Sequence, residues 1–156
     1  MPTSSAVRSG AYGRAIRLIK PDARVVGRDC PLFVPLVENG LIDDDCEITR
    51  LTAEMYLGRF RDEGIDTLIM GCTHYPLIRN IIGEAVGQDV TLIDPGEEIV
   101  KSVRNHMTAE GILSGRAGKG FRKYYVSDNI DSFRGIASKL LGEELESCSV
   151  VSVADN

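Results

Sequence analysis

The apolar and polar positions of this chain switch repeatedly between helical and extended spacing. Residues 8–20 carry Ile16, Leu18 and Ile19 as candidates for burial and predict a helix that Pro21 ends. Residues 23–26 read as a short strand. Residues 32–37 are apolar but interrupted by Pro35, which predicts a loop with a helical turn ending near Gly40. Asp45 is the expected N-cap of the next helix, where Ile48, Leu51, Met55 and Phe60 recur at helical spacing before Gly64 stops it. Residues 66–70 predict a strand, residues 76–86 a helix opened by Pro76, and residues 90–93 another strand closed by Asp94-Pro95-Gly96.

Residues 97–113 form the longest expected helix, with Ile99, Val103 and Met107 on one stripe and an acidic first turn, Glu97-Glu98, that suits the helix dipole. Residues 114–120 are glycine-rich and basic and read as a linker. A strand at 121–126, a helix at 131–141 capped by Asp128 with Phe133, Ile136 and Leu140 inward, and an edge strand at 150–153 complete the order. Strands alternating with helices predict an α/β fold, a parallel sheet flanked by helices on both faces. The chain opens in a helix where that rhythm calls for a strand, which leaves a sheet edge that folded proteins normally cover. The expectation is a chain cut short at its start.

Composition narrows the function classes. At 156 residues the chain can bury one substantial core, and 43% hydrophobic with 26% charged residues is ordinary for a soluble globular protein. A net charge of −5 argues against a nucleic-acid or anionic-membrane partner. No apolar run approaches the ~20 residues of a membrane span, and the amino terminus lacks the apolar core of a secretory signal. Cys30, Cys46, Cys72 and Cys148 form no Cys-x-x-Cys pair, which fits reduced thiols and a cytoplasmic location.

The chemistry concentrates in residues 70–78, MGCTHYPLI. A strand that turns into a helix through Gly71 and Cys72 places the thiol at the carboxyl end of the strand, where open α/β sheets bind ligands. The helix start is expected to bias Cys72 toward thiolate, and His74 two residues on could complete a Cys/His acid–base site. The competing view of Cys72 is a small buried hydrophobe, as cysteines often are. Other constellations fail on spacing. A cysteine-phosphatase loop needs arginine six residues after the cysteine, but that position is Ile78, with Arg79 one place late. A phosphate loop ending in Gly118-Lys119 would need glycine where Leu113 stands. No second ligand pair joins Cys72 and His74 at zinc spacing, and no strand runs into a dinucleotide fingerprint. No metal or cofactor is therefore expected. Glu38 is the remote carboxylate most able to matter, against its plainer role as a solvated acid. His106 reads as surface, Cys30 as packing, and Asp43-Asp44-Asp45 as a solvated turn.

These residues also resemble a known family. Asp66-Thr67-Leu68-Ile69-Met70-Gly71-Cys72-Thr73-His74-Tyr75-Pro76-Leu77 closely resembles the second-cysteine motif of glutamate racemases, in the cofactor-independent aspartate/glutamate racemase superfamily. Cys30-Pro31-Leu32-Phe33-Val34-Pro35-Leu36-Val37-Glu38-Asn39-Gly40 looks like another signature of that family. Val7-Arg8-Ser9-Gly10-Ala11-Tyr12 is similar to a segment near the start of its second domain, and Leu92-Ile93-Asp94-Pro95-Gly96 to a later strand and turn. The resemblance runs to about Leu141. It implies two similar α/β lobes holding glutamate between them, each lobe supplying one cysteine on opposite faces of the substrate α-carbon. Planarising that carbon lets either face be reprotonated, so two poised acid/base groups interconvert the enantiomers. By this resemblance Cys72 is the second-lobe cysteine acting on L-glutamate, Thr73 and His74 contact substrate with His74 assisting the thiol, and Glu38 supports that side. Residues 1–113 would be the second-lobe domain, 114–120 a linker, and 121–156 a segment returning to the first lobe. The family's role implies D-glutamate supplied for peptidoglycan, with glutamate as the small-molecule partner and a homodimer open.

The sequence departs from the family in definite ways. The Asp-Ser-Gly-like start of the first lobe and the Asn-Thr-Ala-like segment around its cysteine are absent. Ala6 stands where the family usually has threonine, removing a hydroxyl expected to meet a substrate carboxylate. The chain is accordingly expected to be the carboxy-terminal portion of a racemase, inactive alone. Two other functions compete: a single-cysteine superfamily enzyme resembling arylmalonate decarboxylases, and a non-catalytic remnant or interaction module.

Overall fold

The computed structural model describes residue 7, residues 9–118 and residues 120–152. Ala6 and Arg8, singled out above, lie outside them. The chain forms two compact units that divide after Gly111. Each is described by itself.

The first unit is built round one parallel pair, β1 (Thr67–Ile69) and β2 (Thr91–Ile93), with Leu68 opposite Leu92. Parallel strands need a crossover, and here it is a 3₁₀ turn (Tyr75–Ile78) running into helix α5 (Arg79–Val86). Ahead of the sheet lie α1 (Ala11–Ile19), α2 (Phe33–Glu38), α3 (Glu47–Leu57) and α4 (Arg59–Asp62). Gly64 takes the left-handed backbone (φ 62) that ends α4 and turns the chain into β1. After β2 comes α6 (Pro95–Ala109). The core is formed by Phe33 and Val37 of α2, Ala53 and Leu57 of α3, Phe60, Met70 and the inner faces of the 3₁₀ turn and α5.

Several expectations need correction. The stretch read as a loop with one turn is the helix Phe33–Glu38: Pro35 is the third residue of α2, within the first turn, where no intrahelical partner awaits its missing N–H. The cap of α3 is Cys46 and not Asp45, and its inward face is Thr49, Ala53 and Leu57. Ile48, Leu51 and Met55 are exposed. The helix carries two stripes, and the one with small side chains faces inward because it lets α3 lie close against α5. Thr49 satisfies its buried hydroxyl by donating to the Leu41 carbonyl at 2.8 Å.

Residues 23–26 join no strand ladder among the described residues; so short a stretch becomes a strand only where a partner backbone lies beside it. Leu18 and Ile19 are 86% and 89% exposed, Ile16 is half-buried, and Ile99 and Val103 of α6 are exposed with Met107 half-buried. An apolar stripe marks the face a helix would bury, while burial itself needs something packed on it. α6 begins two residues earlier than expected, because Asp94 caps it by accepting from the Gly96 amide at 2.8 Å, and ends at Ala109.

The second unit is a smaller β–α–β turn. β3 (Tyr124–Val126) and β4 (Cys148–Val150) run parallel, joined by α7 (Ile130–Leu141). Asn129, not Asp128, caps α7, accepting from the Ser132 amide at 3.0 Å. Phe133 and Ile136 are half-buried and Ala137 is buried, but Leu140 is 57% exposed, one turn too far along to reach the two-stranded sheet. The last strand starts at Cys148, not Val150, because its ladder is set by pairing with Tyr124; residue 153 of the expected strand lies outside the described residues.

Candidate active site

The site begins where β1 stops. Met70 donates to the Ile93 carbonyl at 2.9 Å, and then the Gly71 and Cys72 amides bond back two residues, to Ile69 at 3.1 Å and Met70 at 2.9 Å. Successive bonds of that span turn the chain sharply at the carboxyl end of the sheet. Cys72 and His74 are half-buried, Thr73 is exposed and Tyr75 is buried. The stretch from Tyr75 is a 3₁₀ turn, and α5 starts only at Arg79. The dipole of a full helix therefore sits seven residues beyond the thiol, and the group that faces the sulfur is an imidazole.

Four side chains, three from the reactive turn and one from α2, form one chain of contacts. Cys72 Sγ lies 3.8 Å from His74 Nδ1, and Thr73 Oγ1 lies 3.5 Å from the same nitrogen. The other ring nitrogen, Nε2, is 3.2 Å from Oε1 of Glu38, the last residue of α2. A carboxylate only accepts, so Glu38 holds the imidazole proton on Nε2 and leaves Nδ1 as an acceptor aimed at the thiol. Such a pair can take a proton from sulfur and return it. The structure thus brings Cys72, Thr73, His74 and Glu38 together, although Glu38 is 34 positions upstream of Cys72. Sequence reasoning passed over Tyr75. Its signal was an aromatic ring with a polar tip beside the reactive turn.

The remaining candidates sit elsewhere. Cys30 is buried, and burial pushes its thiol from 9.0 up to about 12. Cys46 caps α3, where the Thr49 hydroxyl hydrogen bond draws its thiol below the ordinary value. Cys148 is buried in β4, and His106 is exposed on α6. Asp44 accepts from Asn80 Nδ2 at 2.9 Å, an exposed surface contact. Among the described residues no three His, Cys, Asp or Glu side chains gather to hold a metal, and no helix is long and apolar enough to cross a membrane.

The raised thiol has a measurable consequence. Cys30 stays neutral in the fold while the unfolded chain ionises it near 9.0, so stability is complete below that value and is lost as pH rises toward 12. Unfolding of the first unit in urea at about pH 8 and about pH 10.5 should show a loss of roughly 2 kcal/mol that Cys30→Ala reduces. An equal loss in the variant would show that Cys30 does not titrate with unfolding.

No family model matches the chain. It is 41% identical over 151 residues to the glutamate racemase of Geobacter metallireducens, covering 97% of this chain and 55% of that protein. The crystal structure of glutamate racemase from Francisella tularensis in complex with D-glutamate superposes with a TM-score of 0.83 at 32% identity, over 95% of this chain and 55% of that one. The enzyme from Thermus thermophilus in complex with β-chloro-D-alanine gives 0.78 at 35%, over 97% and 55%. The chain spans about half the length of the curated relatives it matches. By sequence and by fold it is a homologue of the glutamate racemases, and it corresponds to the carboxy-terminal portion of those proteins.

Proposed function

We propose that this chain supplies one of the two proton-transfer sides of a glutamate racemase. The observation that carries the proposal is the Cys72–His74–Glu38 chain at the carboxyl end of β1. On this side the Cys72 thiolate takes the α-proton of L-glutamate, leaving a planar carbanion delocalised into the carboxylate. An acid on the opposite face, contributed by the rest of the racemase, returns a proton to give D-glutamate, and Cys72 acts as that acid in the reverse direction. His74 shuttles the thiol proton through Nδ1 and meets substrate together with Thr73, while Glu38 fixes the ring. No cofactor enters this chemistry.

Residues 1–113 are assigned to the second lobe, 114–120 to a linker and 121–156 to a segment of the first lobe. The acidic charge and unbridged thiols support a cytoplasmic protein with no nucleic-acid or membrane partner, and the likeness to glutamate racemases supports a small-molecule substrate and a product used in peptidoglycan synthesis. The exposed apolar sides of α1, α3 and α6 are compatible with a homodimer of the whole protein.

The test joins this chain to the complementary half of the Geobacter relative and assays glutamate with chiral detection, beside decarboxylation of an arylmalonate. Interconversion of the glutamate enantiomers is expected. Arylmalonate decarboxylation without racemisation would assign the site to the single-cysteine chemistry instead. Ala6→Thr in the joined protein should lower the KM for glutamate before it alters kcat.

A further inference from the structure

Tyr75 follows His74 directly, yet the two side chains serve opposite ends of the same helix. Tyr75 is buried, and its hydroxyl donates to the carbonyl of Cys30 at 3.3 Å. That carbonyl also accepts from the Phe33 amide at 3.1 Å, the bond that opens α2. The Tyr75 ring meets the Phe33 ring edge-on, with centroids 5.4 Å apart and planes at 85°. Phe33 is fully buried and meets Tyr56 of α3 in the same way at 5.6 Å. The start of α2 is therefore fixed to Tyr75, through one shared carbonyl and one ring contact. The end of α2 presents Glu38 to His74 Nε2 at 3.2 Å. α2 has only six residues, so a tilt at Phe33 is carried rigidly to Glu38.

We propose that Tyr75 is a positioning residue that sets the Glu38–His74–Cys72 chain by holding the opposite end of α2. Resting on the reading of Cys72 and His74 as the proton-transfer pair, it adds the element that keeps that pair aligned. Loosening Tyr75 removes no member of the chain but lets the Glu38 carboxylate drift off Nε2. The ring then loses its fixed tautomer and the thiol its aligned acceptor. Alignment of this kind is fixed by packing behind the contacting groups, where small displacements are costly.

The test needs no substrate and uses the full 156-residue chain. With Cys46 replaced by serine and Cys30 and Cys148 buried, the rate of alkylation by iodoacetamide reports on Cys72. Its pH profile is measured with and without Glu38→Ala, in native, Tyr75→Phe and Tyr75→Leu backgrounds. Glu38→Ala should slow alkylation near neutral pH by roughly tenfold in the native background, a coupling within the range of contacting groups. That factor should fall to about threefold with Tyr75→Phe, which keeps the ring, and close to one with Tyr75→Leu. Thermal unfolding by circular dichroism accompanies each variant, because a purely structural Tyr75 would lower the melting temperature and leave the Glu38 factor untouched. An unchanged Glu38 factor in folded Tyr75→Phe and Tyr75→Leu would overturn the proposal, as would a Glu38→Ala effect absent from the native background. Should Tyr75→Leu not fold, Tyr75→Phe alone decides. These outcomes are independent of racemase turnover, so failure here leaves the assignment of Cys72 to be judged by the joined protein.

Discussion

In the joined protein, Cys72→Ser should lower racemase turnover by on the order of a hundred- to ten-thousand-fold, the effect of removing a positioned acid–base group. Serine keeps the size of the side chain but holds its proton too tightly to serve as a base near neutrality. Among the four cysteines, Cys72 is the one with an imidazole nitrogen 3.8 Å from its sulfur. Cys30 is enclosed in the core with its thiol pushed up to about 12 by burial. Cys148 is buried in the second unit, and Cys46 serves as the cap of α3. Serine at any of those three should leave most of the turnover in place. Steady-state kinetics in both directions check this. A Cys72→Ser protein that keeps most of its turnover, beside a Cys30→Ser or Cys148→Ser protein that loses it, would place the chemistry elsewhere.

Phe33→Ala should destabilise the first unit by about 3–5 kcal/mol, the range for truncating a large buried aromatic. Phe33 is fully buried between Tyr56 and Tyr75, so the deletion leaves a cavity that two edge-on rings cannot close without moving α2 and α3. A loss of that size is a large part of the 5–15 kcal/mol that holds a typical domain. Because the chain has two units, a single unfolding curve would mix them. Hydrogen exchange of β1 and α5 amides across a urea series reports on the first unit alone. A shift under about 1 kcal/mol would mean that the cavity collapses freely.

The sheet of the first unit was legible because residues 66–70 and 90–93 are short apolar runs bounded by turn signals, and the reactive turn because glycine, cysteine and histidine follow such a run at once. Glu38 was legible as a remote carboxylate able to matter, and by resemblance as an acid supporting that side of the site, but its contact with His74 was not. A carboxylate 36 positions upstream carries no local mark of its partner. The inward faces of helices were the least legible part. On α3 the pattern favoured Ile48, Leu51 and Met55, whereas close packing against α5 selected Thr49 and Ala53. On α1 the apolar residues Leu18 and Ile19 stay exposed, since periodicity identifies a face but not what covers it. The helix start at Pro76 was misplaced because a proline suits the first turn of either helix type, and the chain takes the tighter one first.

The central claim, that this chain holds one of two opposed proton-transfer sides, is tested most directly by incubating L-glutamate in deuterium oxide with the 156-residue chain alone and with the joined protein. Chiral separation followed by mass spectrometry then reads inversion and deuterium at the α-carbon together. The account predicts no D-glutamate from the chain alone, and D-glutamate carrying α-deuterium from the joined protein that disappears with Cys72→Ser. D-glutamate formed by the isolated chain, or by the joined protein with serine at position 72, would contradict it.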